Sequence, residues 1–414
     1  MAKSAVRRVT ARGCAPRRGP VRDDAVAGTG AGVLPVVPVR ARGLTIEGAD
    51  GRRYLDCVSG AGALPLGHNH PVALRAIREV LDAGAPLQVA GLTTPVEEAF
   101  VAELMRTLPP ALADRARVRF CDPAGKSPVA TAAGLVRAAT GRTRVIHFMD
   151  ADPDHAARPG LTDPGPAEAL PAGMLLEPVR CRDGVLPTPD AVLRRLRHGK
   201  AERSVPLIVD ETETGVGRTG TFWAVGHSGV VPDVLVLSRA IGGGLPLAAV
   251  VYHDDLHTGE GSTFRGNQLA MAAGAATLAH VREHGLAEHA AALGGRTLAR
   301  LRGLAEDFPC VGAVCGLGLM IGIELTAPDC TADAAPRGAR PGTAAAVQWE
   351  CLRRGLIVDL AGPSGNVVRL LPPLIVTEEQ MSAVLDRLAD AVQAVQRGSG
   401  GHAPPRGVRA ARRL

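Results

Sequence analysis

Four apolar runs constrain the fold of this chain more than anything else in it. They are Gly173–Glu177, Val205–Asp210, Val234–Leu237 and Ala248–Tyr252, and none shows the alternation of a half-exposed strand. Continuous apolar strands belong where helices cover both faces of a sheet. The last two runs flank a turn of three glycines, Gly242-Gly243-Gly244. Two further strands are predicted upstream, Arg117–Cys121 and Thr143–Phe148, with the Ala-rich helix Val129–Ala139 between them. Strands alternating with helices indicate an α/β protein with a large, mostly parallel sheet flanked by helices.

Around that centre the signals change. Gly43–Tyr54 alternates and turns through Ala49-Asp50-Gly51, which reads as a hairpin. His70–Ala83 and Thr94–Thr107 have helical spacing and are opened by Pro71 and Pro95. Residues 150–173, rich in Pro, Asp and Ala, read as a loop. From Asn267 a long Ala/Leu helix leads into a mixed segment containing Gly318–Leu325 and Val367–Leu371. The expected division is a basic tail over 1–35, part of a smaller α+β domain over 36–90, the large α/β domain over 91–290, the rest of the smaller domain over 291–396, and a second basic tail over 397–414.

Composition excludes some functions. With 46% apolar and 21% charged residues a packed core is feasible. Aromatic residues are 2%, so the core is Ala, Val and Leu, and few rings are available to stack on bases. The net charge of +6 sits in the tails: residues 1–30 hold seven Lys/Arg against two Asp, and residues 397–414 hold five Arg and no acid. The body between them is therefore acidic, and a nucleic-acid partner is not expected. No apolar stretch is long enough to span a membrane. The eight cysteines show neither CxxC pairing nor metal-ligand spacing, so a cytoplasmic protein with reduced thiols and no metal is expected.

Two charged residues end apolar strands: Asp210 follows Val205–Val209, and Arg239 follows Val234–Ser238. Groups just beyond the carboxyl ends of strands line the ligand crevice of an open α/β sheet, although either residue alone reads equally well as a solvated loop charge. The longer pattern decides between these. It comprises Asp210-Glu-Thr-Glu-Thr-Gly-Val-Gly-Arg-Thr-Gly220, Pro232-Asp-Val-Leu-Val-Leu-Ser-Arg-Ala-Ile-Gly-Gly-Gly-Leu-Pro246 and Ser262-Thr-Phe-Arg-Gly-Asn-Gln-Leu-Ala270. Supporting stretches are 62–71, 316–325 and 368–374. Together they resemble the class III aminotransferases, and within them most resemble the diaminobutyrate–2-oxoglutarate branch.

The resemblance implies fold type I, a seven-stranded type of large sheet, a homodimer and pyridoxal 5'-phosphate as cofactor. By the same resemblance, Asp210 matches the carboxylate that keeps the cofactor's ring nitrogen protonated. Thr263 matches a hydroxyl reaching a phosphate across the dimer. Gly125, with Lys126 and Ser127, lies in the phosphate turn before a helix. Arg369 matches the arginine that grips a substrate carboxylate, a task suited to a planar fork of donors.

Several positions depart from the family pattern. Arg239 stands where the resemblance places the lysine that forms the imine, and a guanidinium is neither nucleophile nor base. The chain has three lysines, Lys3, Lys126 and Lys200, and none falls at that position. Glu213 replaces a glutamine beside the ring, and Arg182 stands where a glutamate is usual. Asp150-Ala-Asp-Pro-Asp-His155 takes the place of a stacking aromatic segment. Asp210, Arg239 and Glu213 are expected to form an ion-pair cluster. The function expected on these departures is a degenerate homologue that binds or scaffolds without transaminating, with the cofactor non-covalent at best or lost. It would act in small-molecule biosynthesis beside an intact paralogue or another pathway enzyme. Two alternatives stand beside it. One is lysine-independent chemistry on an anionic small molecule held by Arg182, Arg239, Arg265 and Arg369. The other is an active aminotransferase of the diaminobutyrate type.

Overall fold

The computed structural model describes residues 34–121, 127–148, 170–259, 264, 266–326 and 342–398. Sixteen strands and nine α-helices lie among them. In chain order they are β1 (Pro38–Arg42), β2 (Thr45–Gly48), β3 (Arg53–Asp56), α1 (Pro71–Asp82), α2 (Pro95–Thr107), α3 (Pro110–Ala113), β4 (Ala116–Phe120), α4 (Pro128–Thr140), β5 (Val145–Phe148), β6 (Gly173–Leu176), β7 (Val179–Arg180) and β8 (Leu186–Pro187). Then come α5 (Asp190–Arg203), β9 (Leu207–Asp210), β10 (Val234–Ser238), β11 (Ala248–His253), α6 (Gln268–Glu283), α7 (Leu286–Asp307), β12 (Val311–Leu317), β13 (Met320–Leu325), α8 (Thr343–Arg353), β14 (Leu356–Ile357), β15 (Asp359–Ala361), β16 (Val367–Leu370) and α9 (Glu378–Gly398).

The large sheet has the order β4-β11-β10-β9-β6-β5, six strands among the described residues. β5, β6, β9 and β10 are mutually parallel, and β11 runs antiparallel between β10 and β4. The apolar runs read from the sequence are its central strands: β6 is buried throughout, and Val234–Leu237 of β10 are 0% exposed. Helices cover both faces, as that burial requires. Leu207, Val209, Leu235 and Leu237 point to one apolar cluster, and Ile208, Val234 and Val236 point to a second, with Leu135 and Val136 of α4. This is an α/β protein with a mostly parallel central sheet.

There are two smaller four-stranded sheets, one joining early and late parts of the chain and one built from the late part alone. In the order β1-β2-β3-β14, the β2–β3 pair is the predicted hairpin and β14 runs parallel to β3. The order β12-β13-β16-β15 is antiparallel throughout. The helix starts follow capping chemistry. The Thr94 hydroxyl accepts the Glu97 amide at 3.1 Å, with Pro95 in the first turn of α2. The single long helix expected from Asn267 is instead two, because Gly285 takes φ +59 between α6 and α7, a left-handed conformation that ends α6 and re-aims the chain. The helix α5 is not evident from the sequence, where its seven charged residues in fourteen give no clear apolar stripe. Among the described residues, no helix is long and apolar enough to cross a membrane.

Candidate active site

The site grows from the carboxyl ends of two adjacent parallel strands. In the β9–β10 register Val236 lies opposite Asp210, so the residues that end these strands open onto the same crevice. Asp210 is partly buried at the end of β9. Its Oδ1 accepts the Thr212 amide at 2.9 Å and the Thr212 hydroxyl at 2.5 Å. Burial raises its pKa, opposed by the Thr212 hydrogen bonds, while Glu213 raises it and His147 lowers it.

Arg239 follows β10 with φ +54, an uncommon conformation for a residue with a Cβ. From there its Nη1 donates to the Ala61 carbonyl at 2.8 Å, and its Nη2 meets Glu213 Oε1 at 2.9 Å. The other oxygen of Glu213 accepts from Arg369 Nη1 at 2.8 Å. Arg369, buried on β16, also donates from Nη2 to Asp359 Oδ2 at 2.5 Å. Burial works against the charge of Arg369, but Glu213 and Asp359 outweigh it and raise its pKa. The resulting chain is Arg239–Glu213–Arg369–Asp359. Of the expected Asp210–Arg239–Glu213 cluster, the Arg239–Glu213 pair is present, but Asp210 stands outside it: Thr212 satisfies Asp210, and the second oxygen of Glu213 holds Arg369 of the small sheet.

Other groups join the site without having been singled out in the sequence. Glu177, just past β6, lies 3.8 Å from His147 Nε2 of β5. Burial raises the Glu177 pKa, Asp210 and Glu213 add to the rise, and Arg182 opposes it. Arg182 is thus electrostatically coupled to the site, though its side chain is exposed. The Cys181 thiol is buried beside Glu213 and Arg369 and donates to the Val179 carbonyl at 3.2 Å. Burial, reinforced by Glu213, pushes that thiol well up, which makes it an inert wall rather than a nucleophile. Position at the end of an apolar strand, the same signal that marks Asp210, also applies to Glu177. Asp359, at the start of a three-residue strand, carries no such signal.

Of the phosphate-turn residues, Ser127 is described: its hydroxyl caps α4 by accepting the Ala130 amide at 3.2 Å. Gly125, Lys126, Thr263, Arg265 and the segment 150–155 lie outside the described residues.

The described residues fit part of a pyridoxal cofactor. Asp210, its pKa raised and with two acids nearby, suits a cationic ring nitrogen. The Nε of Arg369 is buried without a hydrogen-bond partner, an unused donor for a carboxylate. Arg239 does not fit covalent attachment, because a guanidinium forms no imine at neutral pH.

Comparison with known proteins places this geometry in context. The family described as Aminotransferase class-III matches residues 26–151 and 168–392. The chain is 39% identical to the diaminobutyrate–2-oxoglutarate aminotransferase of Rhizobium meliloti (strain 1021), covering 88% of this chain and 89% of that one. It is 32% identical to the protein of the same name from Haemophilus influenzae, over 87% and 90% of the two chains. Among solved structures it resembles the acetylornithine aminotransferase of Elizabethkingia anophelis, with TM-score 0.75, 24% identity and coverage of 90% and 97%. It also resembles the N-acetylornithine aminotransferase of Stenotrophomonas maltophilia K279a, with TM-score 0.73, 26% identity and coverage of 88% and 98%. The fold is that of the fold type I aminotransferases. These matches overturn the expectation of a degenerate, non-transaminating homologue. That expectation gave a few residues around the ring more weight than likeness along nearly the whole chain to proteins named as aminotransferases. By the extent of these matches, and by the strand-end acid and buried arginine it places in one crevice, the chain belongs to the class III aminotransferase family.

Proposed function

We propose that this protein is an aminotransferase that moves an amino group between a diamino acid of the diaminobutyrate type and 2-oxoglutarate. The observation that carries the proposal is the 39% identity, across nearly all of both chains, to a diaminobutyrate–2-oxoglutarate aminotransferase. Pyridoxal phosphate, when bound, supplies the electron sink that such a transfer needs. In this reading Asp210 holds the ring nitrogen, and Ser127, with Gly125, Lys126 and Thr263, serves the phosphate end. Arg369 binds a substrate carboxylate through its unused Nε, with Glu213 and Asp359 fixing the plane of its guanidinium. Arg182, Arg239 and Arg265 add positive charge for a second carboxylate. Since Arg239 moves no proton, the proton is held at Oε1 of Glu177 with His147 beside it. The working unit is taken as a homodimer, which would cover the exposed Leu87 and Leu92.

The test is glutamate formation by the purified protein supplied with pyridoxal phosphate, 2,4-diaminobutyrate and 2-oxoglutarate. Cofactor-dependent turnover is expected, with borohydride leaving no reduced adduct at residue 239. Absence of glutamate at saturating substrates overturns the proposal.

A further inference from the structure

Away from the crevice, three imidazoles gather where the start of α1 meets the end of α6. His280, in the last turn of α6, and His284, its C-cap, lie one turn apart, with ring centroids 3.9 Å apart. His70, the N-cap of α1, brings its ring to 4.9 Å from that of His280. The hydrogen bonds fix where lone pairs are free. His284 Nδ1 lies 3.0 Å from the His280 carbonyl, which can only accept. Nδ1 therefore carries the hydrogen, and Nε2 keeps an unused lone pair. The ring of His280 has no hydrogen-bond partner among the described residues. His70 Nδ1 accepts the Val72 amide at 3.4 Å, a long bond that is easily given up.

From this geometry we propose that His280 and His284 form a two-imidazole site for a borderline divalent transition-metal cation, of which Zn²⁺ is the type. Paired histidines at i and i+4 on one helix face can present two nitrogens to one ion, and imidazole selects such metals over Mg²⁺ or Ca²⁺. The carbonyl bond to His284 Nδ1 is the orienting contact that metal-binding histidines characteristically have. The location favours a cation too, since α6 ends there and presents its negative pole. Among the described residues, His253, Asp254 and Asp255 form a closer group of three potential ligands, but Arg115 already reaches both carboxylates, at 3.0 and 2.6 Å. No such cation opposes the α6 pair: the nearby Arg282 is engaged by Glu103 at 2.9 Å and Glu283 at 3.1 Å.

The experiment is calorimetric titration of the metal-stripped full-length protein with Zn²⁺, compared with the His280→Ala/His284→Ala variant. The double variant should bind one equivalent fewer. Mg²⁺ should give no matching event in either protein. His284 is exposed, so His284→Ala alone provides a second variant that retains the fold; it too should lose that equivalent. Equal Zn²⁺ stoichiometry in the wild type and both variants overturns the proposal, and so does an equally tight Mg²⁺ site.

Discussion

Removing one arginine at a time from the chain Arg239–Glu213–Arg369–Asp359 tests how the crevice holds its charge. Read from sequence, with Arg239 as the lone cation beside Asp210 and Glu213, its loss would strand buried carboxylates at about 2–5 kcal/mol. The structure lowers that figure. In Arg239→Ala, Glu213 keeps its 2.8 Å contact with Arg369, and Asp210 keeps both bonds from Thr212. What disappears is one ion pair and one bond to the Ala61 carbonyl, from a side chain 34% exposed. Solvent screens such a pair, so about 1 kcal/mol is expected. Arg369→Ala is different. The side chain is 10% exposed, it grips two carboxylates, and its removal leaves Asp359 without its cation. Breaking a buried pair this way costs about 3–5 kcal/mol, and the partial exposure of Asp359 points to the lower end. Urea unfolding at neutral pH, with both variants and the wild type run together, measures the difference. If Arg239→Ala shifts the midpoint as much as Arg369→Ala, the picture of Arg369 as the central cation is wrong.

Two further predictions follow from residues outside the crevice. Gly294 and Gly295 are neighbours in α7, but a Cβ on Gly294 would lie 2.0 Å from the Gly318 carbonyl, while one on Gly295 would meet nothing within 4 Å. Gly295→Ala should therefore stabilise by about 0.5–1 kcal/mol through helix propensity, and Gly294→Ala should destabilise despite the same propensity; thermal melts with the opposite order would refute this. Glu211 is fully buried, and burial raises its pKa to about 7 from 4.5, against hydrogen bonds from Thr214 and the Val225 amide. A carboxyl that binds its proton more tightly folded than unfolded contributes stability below pH 4.5 and loses it as pH rises through about 7. Relative to Glu211→Gln, the wild type should lose about 3 kcal/mol across that window, and a pH-independent difference would refute the assignment.

The central sheet was legible because each of its core strands is a short run of apolar residues that only double coverage by helices can bury. Asp210 and Arg239 were legible because strand ends line crevices. Partner choice was not. Arg239 ends a strand in the same crevice and was visible as a cation for Glu213, whereas Arg369 is more than a hundred residues away and was not. The fold brings β16 alongside, and the distant arginine shares the carboxylate with Arg239. The break at Gly285 was hidden by helix-forming residues on both sides. The three histidines near α6 were equally hidden, because His70 reaches the other two only through the packing of α1 on α6.

The parallel pairing of β14 with β3 has a temporal side. Leu55 lies opposite Leu356, so a strand made at the start of synthesis finds its neighbour only after about 300 more residues have been added. At about 5–20 residues per second, the ribosome takes roughly 15–60 s to supply that neighbour. Through that interval the β3 edge is an open row of amides and carbonyls, the kind of edge that recruits another nascent chain. Closing so long a loop places this sheet among the last parts of the molecule to form. Lowering the expression temperature, which slows synthesis and lengthens the exposure, also weakens apolar association between nascent chains. The yield of soluble protein thus depends on which of these two effects dominates during that wait.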